Sequence, residues 1–228
     1  MSRCTSKIAS IEALLLKHYK KEPFHNLYLF YGKKPIPNKY GGTCSDKTLS
    51  FIDEARSLGF KVNLHTGYIG GKEVHRLARV QIGNRTYFAD IGNGWPAIKL
   101  YPEDEEVLYS CFGMTFHTKI SMNKISVFHT RNGREHLQLV IDTRPRCEKE
   151  IINDINERFT SGINYPFSNS IRFSLIVNNK FLFLRGECLE IYSSDGYMTL
   201  DGIKKDNLPL IIMDKFKFKS SLFEYLLC

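Results

Sequence analysis

The segment Gly41-Gly42-Thr43-Cys44 has the composition expected around a nucleophilic cysteine. Two glycines allow a sharp backbone turn and the close approach of a ligand. The residues after Cys44 predict a helix that starts here, so the thiol would lie at the positive end of the helix dipole, which favours the thiolate. Backbone N–H groups of that first turn could also receive a developing oxyanion. Alternatively, Cys44 is only a small buried side chain that packs in the core. The catalytic interpretation also requires a base near the thiol.

The hairpin that follows could supply that base. The pair Gly83-Asn84 is typical of a two-residue hairpin loop, and pairing outward from it places Leu77 opposite Asp90. His75 and Asp90 then lie diagonally on one face of the sheet, within reach of each other. Singly, each has a structural explanation, as a strand histidine and as a turn aspartate. Together with Cys44 they predict a catalytic triad, in which the carboxylate fixes the tautomer of the imidazole.

The elements that must hold these residues follow from the hydrophobic pattern. Apolar residues recur at helical spacing over residues 7–20, on a face that includes Leu15 and Tyr19, and again from Leu49 to Leu58. Alternating patterns and turn signals then predict strands and two further helices. The predicted strands and hairpins lie at 74–82, 85–90, 125–141, 171–177, 181–185 and 189–192, and the helices at 151–159 and 220–227. Helices followed by antiparallel strands indicate an α+β fold.

Composition excludes several classes of function. The 228 residues include 32 lysines and arginines against 24 acidic residues, a net charge of +8. A basic surface suits a phosphorylated cofactor or an acidic carrier protein, but no nucleic-acid recognition motif is present and no apolar run is long enough to cross a membrane. Six cysteines without CxxC spacing predict reduced thiols in a cytoplasmic protein. No cluster of cysteine and histidine predicts a metal site.

Taken in order, several segments resemble arylamine N-acetyltransferases. Glu22–Leu27 resembles the family's proline-phenylalanine-glutamate-asparagine-leucine stretch, and Gly41–Cys44 its arginine-glycine-glycine-x-cysteine motif. His75–Val80 resembles the strand that carries the catalytic histidine, and Asp90–Gly94 the aspartate-valine-glycine-phenylalanine-glycine motif. The resemblance is specific over about residues 10–100.

The resemblance implies an α+β fold in three parts. Residues 1–70 would form a helical domain that carries the nucleophile, and residues 71–170 an antiparallel β-barrel that carries the histidine and the aspartate. Residues 171–228 would form a C-terminal β/α lid. This lid is expected to be reduced, because the chain ends early for the family. A smaller lid would leave the thiol more open and would favour a bulkier acceptor or a donor other than free acetyl-CoA.

The resemblance also implies a ping-pong acyl transfer. Cys44 would take an acetyl group from acetyl-CoA and pass it to an aromatic amine or hydrazine, while His75 moves the protons and Asp90 orients the imidazole. Acetyl-CoA is then the donor substrate, and no metal takes part. The substrate contacts are expected from Phe24, Thr43, Gly92 and Trp95. For the tryptophan, a wall of the acyl pocket and an ordinary place in the core or rim remain alternatives.

Some residues depart from the family's pattern. Tyr40 stands in place of the arginine before the two glycines, His25 in place of the glutamate, and Asn93 in place of the phenylalanine. The support around the triad is therefore expected to be rearranged. Three alternative functions stay open. They are an amide synthase that takes an acyl group from a carrier-protein thioester, a Cys-His-Asp hydrolase, and a binding module without activity.

Overall fold

The structure of the chain is a computed structural model that describes residues 3–157 and 170–227. Its helices are α1 (Arg3–Lys21), α2 (Leu27–Phe30), α3 (Cys44–Ser57), α4 (Glu148–Glu157), α5 (Leu208–Lys215) and α6 (Ser221–Leu227). Its strands are β1 (Phe24–His25), β2 (Lys61–Ile69), β3 (Lys72–Ile82), β4 (Arg85–Ala89), β5 (Tyr101–Pro102), β6 (Leu108–Cys111), β7 (Met114–Ser121), β8 (Lys124–Arg131), β9 (Arg134–Asp142), β10 (Arg172–Val177), β11 (Lys180–Arg185), β12 (Cys188–Ser193) and β13 (Gly196–Leu200).

Eight strands form the larger sheet, in the order β5-β4-β3-β2-β9-β8-β7-β6. The sheet is antiparallel and curls into a half-barrel, which confirms the predicted α+β class and barrel. The β3–β4 hairpin pairs Ile82 with Arg85 and Ala78 with Ala89, the register that its two-residue loop predicts. At the β8–β9 turn, Asn132 and Gly133 both have positive φ, which matches the right-handed twist of the strands.

The first two long helices pack against this sheet through the faces that their spacing predicts. Leu15 and Tyr19 of α1 are buried, as are Ile52 and Ala55 of α3. They join the apolar side chains of β2 to β4 in one core. The prediction for Leu58 is wrong, since its side chain is 60% exposed. Helix α3 ends at Ser57 and Leu58 is its C-terminal cap. Leu58 therefore lies past the last turn that packs on the sheet.

A second, smaller sheet has the strand order β1-β10-β11-β12-β13. Its apolar side chains, among them Phe173 and Leu184, form a separate core with Tyr28 of α2 and with α5 and α6. The two-residue strand β1 was not predicted. It pairs Phe24 with Ser174 and so ties the segment before the cysteine to the C-terminal part of the chain.

Other elements differ from the prediction in extent. Three predicted strands match β10 to β12, whereas α5 and the short strands β5 and β6 were not predicted because none has a clear period. The helix predicted over 151–159 runs over Glu148–Glu157, and Phe159 lies outside the described residues.

Because β2 pairs with β3 from Lys61 onward, we propose that the sheet domain begins at residue 61. Within residues 3–157 and 170–227, none of the helices combines the length and the apolar character needed to cross a membrane.

Candidate active site

The loop before α3 places Cys44 at the first position of the helix. The carboxylate of Asp46 accepts hydrogen bonds of 2.8 Å from both the backbone N–H and the hydroxyl of Thr43, so it caps the helix start. The two glycines are needed for close packing. A Cβ on Gly41 would lie 2.1 Å from the carbonyl oxygen of Pro23, and one on Gly42 would lie 2.5 Å from the Asp46 carboxylate. The glycines thus let the loop approach both groups.

The chain just after β4 packs directly against this cysteine. A Cβ on Gly92 would lie 2.7 Å from the Cβ of Cys44 and 2.8 Å from the carbonyl oxygen of Arg76. Only a residue without a side chain fits between the helix start and strand β3 at this point. Because Gly92 has no side chain, the end of the hairpin can pack directly against Cys44.

His75 and Asp90 meet as the hairpin register predicts. The Nε2 atom of His75 lies 2.5 Å from Oδ1 of Asp90, and both side chains are buried. This bond leaves Nδ1 of the imidazole for the cysteine, and the side chains of Cys44 and His75 interact so that each shifts the pKa of the other. The thiol, which is partly exposed, also lies 3.9 Å from the carbonyl oxygen of Val74. The three residues thus form a connected cysteine–histidine–aspartate chain.

The charges in this chain favour a thiolate–imidazolium pair. Burial raises the pKa of the Cys44 thiol, but the hydrogen bond and positive charge of His75 outweigh burial and leave that pKa below its ordinary value. Burial likewise lowers the pKa of His75, while the carboxylate of Asp90 and the thiolate raise it to about 10. Each partner stabilises the charged form of the other. By contrast, burial raises the pKa of the Cys111 thiol to about 12, which makes it a poor nucleophile.

Two residues that the sequence analysis did not assign to the site hold Asp90 in place. Asn93 donates a 2.7 Å hydrogen bond from Nδ2 to Oδ2, the carboxylate oxygen that faces away from the histidine. Its own side-chain oxygen accepts the backbone N–H of Trp95 at 3.1 Å. Tyr19 donates from its hydroxyl to the carbonyl oxygens of Asp90 (2.5 Å) and Trp95 (3.0 Å). The sequence contained one indication of this role, which is the polar Asn93 at a position where the family has phenylalanine.

The expected rearrangement around His25 and Tyr40 takes a definite form. The imidazole of His25 donates from Nε2 to the carbonyl oxygen of Tyr40 (2.9 Å) and accepts the backbone N–H of Leu27 at Nδ1 (3.2 Å). Burial lowers the pKa of His25 to about 4, so the ring is neutral and can make both bonds. Two backbone groups around the cysteine loop are thereby held by one uncharged side chain.

A buried charged network supports the same loop from behind. Lys47 of α3 is fully buried and donates to the carbonyl oxygen of Glu22, and its ammonium group lies 5.2 Å from the centre of the Tyr19 ring. The Glu22 carboxylate accepts the hydroxyl of Ser50 at 3.0 Å and lies 3.2 Å from Nδ1 of His18. Lys47 therefore couples α3 to Tyr19, which in turn holds Asp90.

The remaining predicted substrate residues have different surroundings. Thr43 is buried and bonded to the capping carboxylate, and Gly92 is covered by the cysteine. Phe24 and Phe183 both pack against Gly94, since a Cβ on Gly94 would come within 3.3 Å and 3.0 Å of them. The Trp95 ring meets Phe183 edge-on at 4.9 Å. These three aromatic side chains pack around Gly94 and are called the aromatic wall below.

No group of three or more histidine, cysteine, aspartate or glutamate side chains in residues 3–157 and 170–227 could hold a metal ion.

Comparisons with known proteins identify the fold. No protein-family model matches the sequence, and no curated protein matches it. Among solved structures, the Nocardia farcinica arylamine N-acetyltransferase superposes with a TM-score of 0.79 at 19% identity, over 93% of this chain and 83% of that one. The Salmonella typhimurium enzyme gives 0.76 at 13% identity, over 96% and 90%. The Mycobacterium marinum enzyme in complex with CoA gives 0.78 at 12% identity, over 96% and 92%. The chain therefore has the arylamine N-acetyltransferase fold, as the sequence resemblance predicts.

Proposed function

We propose that the protein is an N-acyltransferase that moves an acetyl group from acetyl-CoA to an aromatic amine or hydrazine through an acetyl-cysteine. The observation that carries this proposal is the connected chain of Cys44, His75 and Asp90 at the start of α3. The fold supports it, since each of the solved structures described above is an arylamine N-acetyltransferase and one of them is a complex with CoA.

In the first half-reaction, the thiolate of Cys44 attacks the carbonyl carbon of the thioester. The tetrahedral intermediate carries its negative charge on oxygen, and the backbone N–H groups of Cys44 and Ser45 are the candidate donors, because they open the helix and precede its first intrahelical bonds. The carbon–sulfur bond to CoA then breaks. The imidazolium of His75 gives its proton to the departing CoA sulfur, so that the acetyl-enzyme is formed with a neutral histidine.

In the second half-reaction, the amine nitrogen attacks the acetyl carbonyl. Neutral His75 takes the proton that the nitrogen loses, and the bond between the carbonyl carbon and the sulfur of Cys44 breaks. The thiolate and imidazolium are restored together, and the amide leaves. Asp90 keeps Nδ1 of the ring directed at the sulfur throughout.

The test is the intact mass of the protein after incubation with acetyl-CoA. We expect one added acetyl group on wild type and on Cys4→Ser, a control that removes an exposed thiol, and none on Cys44→Ala. Addition of an aromatic amine should remove the acetyl group and yield the amide. Absence of the adduct on wild type, in a protein that is folded by circular dichroism, contradicts the proposal.

The same experiment separates the alternatives. An adduct formed only from an acyl-carrier thioester, and not from acetyl-CoA, would indicate an amide synthase. Loss of the acetyl group to water at the rate seen with the amine would indicate a hydrolase.

We also propose that the protein is cytoplasmic, because its cysteines are expected to be reduced. Fractionation of the source cells tests this location.

A further inference from the structure

Strand β3, which carries His75, is irregular just before the histidine. In the pairing of β2 with β3, Gly67 lies opposite His75, but the next residue, Tyr68, lies opposite Glu73. Val74 is therefore an extra residue in β3, which makes this point a β-bulge. Val74 is also 44% exposed. A bulge of this kind bends its strand and changes the direction of the neighbouring side chains.

The bulge lies directly beside the cysteine. The carbonyl oxygen of Val74 is 3.9 Å from the sulfur of Cys44. His75, the next residue, directs Nε2 at the carboxylate of Asp90 at 2.5 Å and leaves Nδ1 for the cysteine. The conformation of the bulge therefore determines where the imidazole and the Val74 carbonyl lie relative to the sulfur.

The carboxylate of Glu73 joins the bulge to strand β2. Oε1 accepts the hydroxyl of Thr66 at 2.7 Å, and Oε2 accepts the hydroxyl of Tyr68 at 3.0 Å. Oε1 also forms a 2.7 Å ion pair with Arg146. Burial raises the pKa of Glu73, but the two hydrogen bonds and the charges of Arg146 and Arg76 outweigh burial and leave that pKa below its ordinary value. Glu73 is therefore ionised at neutral pH, and hydrogen bonds to an ionised acceptor are strong.

Arg76 holds the other end of the bulge from within the same strand. Its side chain is buried, and Nη1 donates to the carbonyl oxygen of His75 at 3.1 Å and lies 3.5 Å from that of Glu73. Nη2 lies 3.6 Å from the carboxylate of Asp154 on α4. The guanidinium thus spans the bulge from one backbone carbonyl to another. With Glu73 it makes the bulge a fixed feature of the strand.

We propose that Glu73 is a positioning residue of the active site, which fixes the bulge at Val74 and thereby holds the ring of His75 against Cys44. Glu73 acts through its bonds to β2 and not by contact with a substrate. When these bonds are lost, the imidazole is held less firmly beside the sulfur and stabilises the thiolate less. This assignment rests on the proposed acyl transfer for the identity of the reaction, but the state of Cys44 can be measured without an acyl donor.

The experiment measures the rate of alkylation of Cys44 by iodoacetamide against pH, by peptide mapping. In Glu73→Ala we expect the pH of half-maximal rate to rise by about one unit, since a tenfold loss of thiolate is typical when one hydrogen bond to a charged group is lost. Acetylation of Cys44 by acetyl-CoA at pH 7 should slow about tenfold. Glu148→Ala is the matched control. It removes an ion pair with Arg56 and a bond to the backbone N–H of Leu64, also in β2 but away from the bulge, and should leave the pH profile unchanged.

A second variant separates the bonds of Glu73 from its charge. Thr66→Val/Tyr68→Phe keeps the carboxylate and nearly the same volume but removes both hydroxyl donors, and it should raise the pH of half-maximal rate as Glu73→Ala does. Loss of a negative charge alone would shift this pH downward, because it favours the thiolate.

Three outcomes would overturn the assignment. They are a downward or absent shift in Glu73→Ala, an unchanged profile in Thr66→Val/Tyr68→Phe, and an equal shift in Glu148→Ala. Circular dichroism verifies that each variant is folded. Failure of the acyl-transfer proposal reads out separately, as absence of acetyl-Cys44 in wild type, and leaves the shift in alkylation intact.

Discussion

At the scale of single residues, the site depends on the hydrogen bonds that the three oxygen atoms of Asp90 make. One carboxylate oxygen faces His75, the other accepts from Asn93, and the backbone carbonyl accepts from Tyr19. The carboxylate is thus held at both of its oxygens and the backbone of the same residue at its carbonyl, which keeps the side chain facing the imidazole. The ring of His75 in turn is held in the orientation that presents Nδ1 to the sulfur of Cys44.

The paired charges predict how Cys44 reacts with iodoacetamide as pH changes. Since His75 holds the pKa of Cys44 below its ordinary value, the alkylation rate of wild type should reach its plateau at a lower pH than that of a variant without this charge. In His75→Ala the stabilising charge is lost, so alkylation should be slow at pH 7 and rise with pH. Peptide mapping of the alkylated protein gives the rate at Cys44. Equal pH dependence of the rate at Cys44 in wild type and in His75→Ala would contradict the prediction.

Removal of the amide at position 93 tests whether it positions Asp90. Asn93→Ala breaks the 2.7 Å bond to the carboxylate, and loss of one hydrogen bond to a charged group should lower kcat/KM for acetyl transfer about tenfold. The pH at which Cys44 becomes reactive should also shift upward, because a less fixed carboxylate stabilises the imidazolium less. Asn63→Ala, at an exposed position in β2, is the control. Equal activity in both variants would show that Asn93 has no positioning role.

At the scale of elements, one helix start and one hairpin end build the site. Helix α3 presents the cysteine on its first turn, and the β3–β4 hairpin brings the histidine and the aspartate from adjacent strands. The two elements meet at Gly92, where the backbone replaces a side chain. Strand β1 places Phe24 against the cysteine loop, where it bridges to Gly42, and is held by its pairing with β10.

The capping carboxylate of Asp46 is the part of this arrangement that stability measurements can test. Asp46→Ala removes both hydrogen bonds to Thr43, which should lower the free energy of unfolding by about 1–2 kcal/mol. Urea denaturation measures this change. Asp53→Ala, at an exposed position of the same helix, should stay within about 0.5 kcal/mol of wild type. Two variants of equal stability would mean that the cap contributes little.

At the scale of the whole molecule, two cores are joined by the segments around the site. The larger core lies between the first helices and the half-barrel, and the smaller one lies between the second sheet and the last helices. The aromatic wall draws on both sheets, since Trp95 follows the larger sheet's β4 and Phe183 belongs to the smaller one. Burial at this junction leaves His25 and His129 neutral, and both hydrogen-bond as neutral rings.

These two histidines predict that the protein loses stability in mild acid. Their pKa values are lowered to about 4 in the folded chain, whereas an exposed histidine titrates near 6.5. As pH falls below 6.5, the unfolded chain binds protons that the folded chain does not, so the free energy of unfolding should fall by about 1 kcal/mol per histidine at pH 5.5. Urea denaturation at pH 7 and 5.5 measures the difference.

Replacing one of the two rings provides the check. His129→Gln should reduce the loss of stability between pH 7 and 5.5, because one titrating group is gone. His117→Gln, at a partly exposed position in β7, is the control and should keep the loss. A His129→Gln variant that loses as much stability as wild type between the two pH values would contradict the assignment of His129 as a neutral buried ring.

Sequence alone determined the parts of this protein that local geometry controls. A two-residue loop defines the hairpin register, and this register places His75 beside Asp90. The prediction therefore needs no information about tertiary packing. Helical spacing predicts the buried face of α1 for the same reason. The short strands β1 and β5 were not predictable, because two residues carry no period and pair only where tertiary packing places them.

Only the tertiary structure decided what surrounds these residues. Tyr19 is separated from Asp90 by 71 positions in the chain, and Arg131 reaches Trp95 from another sheet strand. Such contacts depend on how helices and sheets pack, which no local pattern records. The sequence therefore predicts which side chains could react, whereas the fold decides which groups hold them, how their charges are balanced and what kind of substrate could lie beside them.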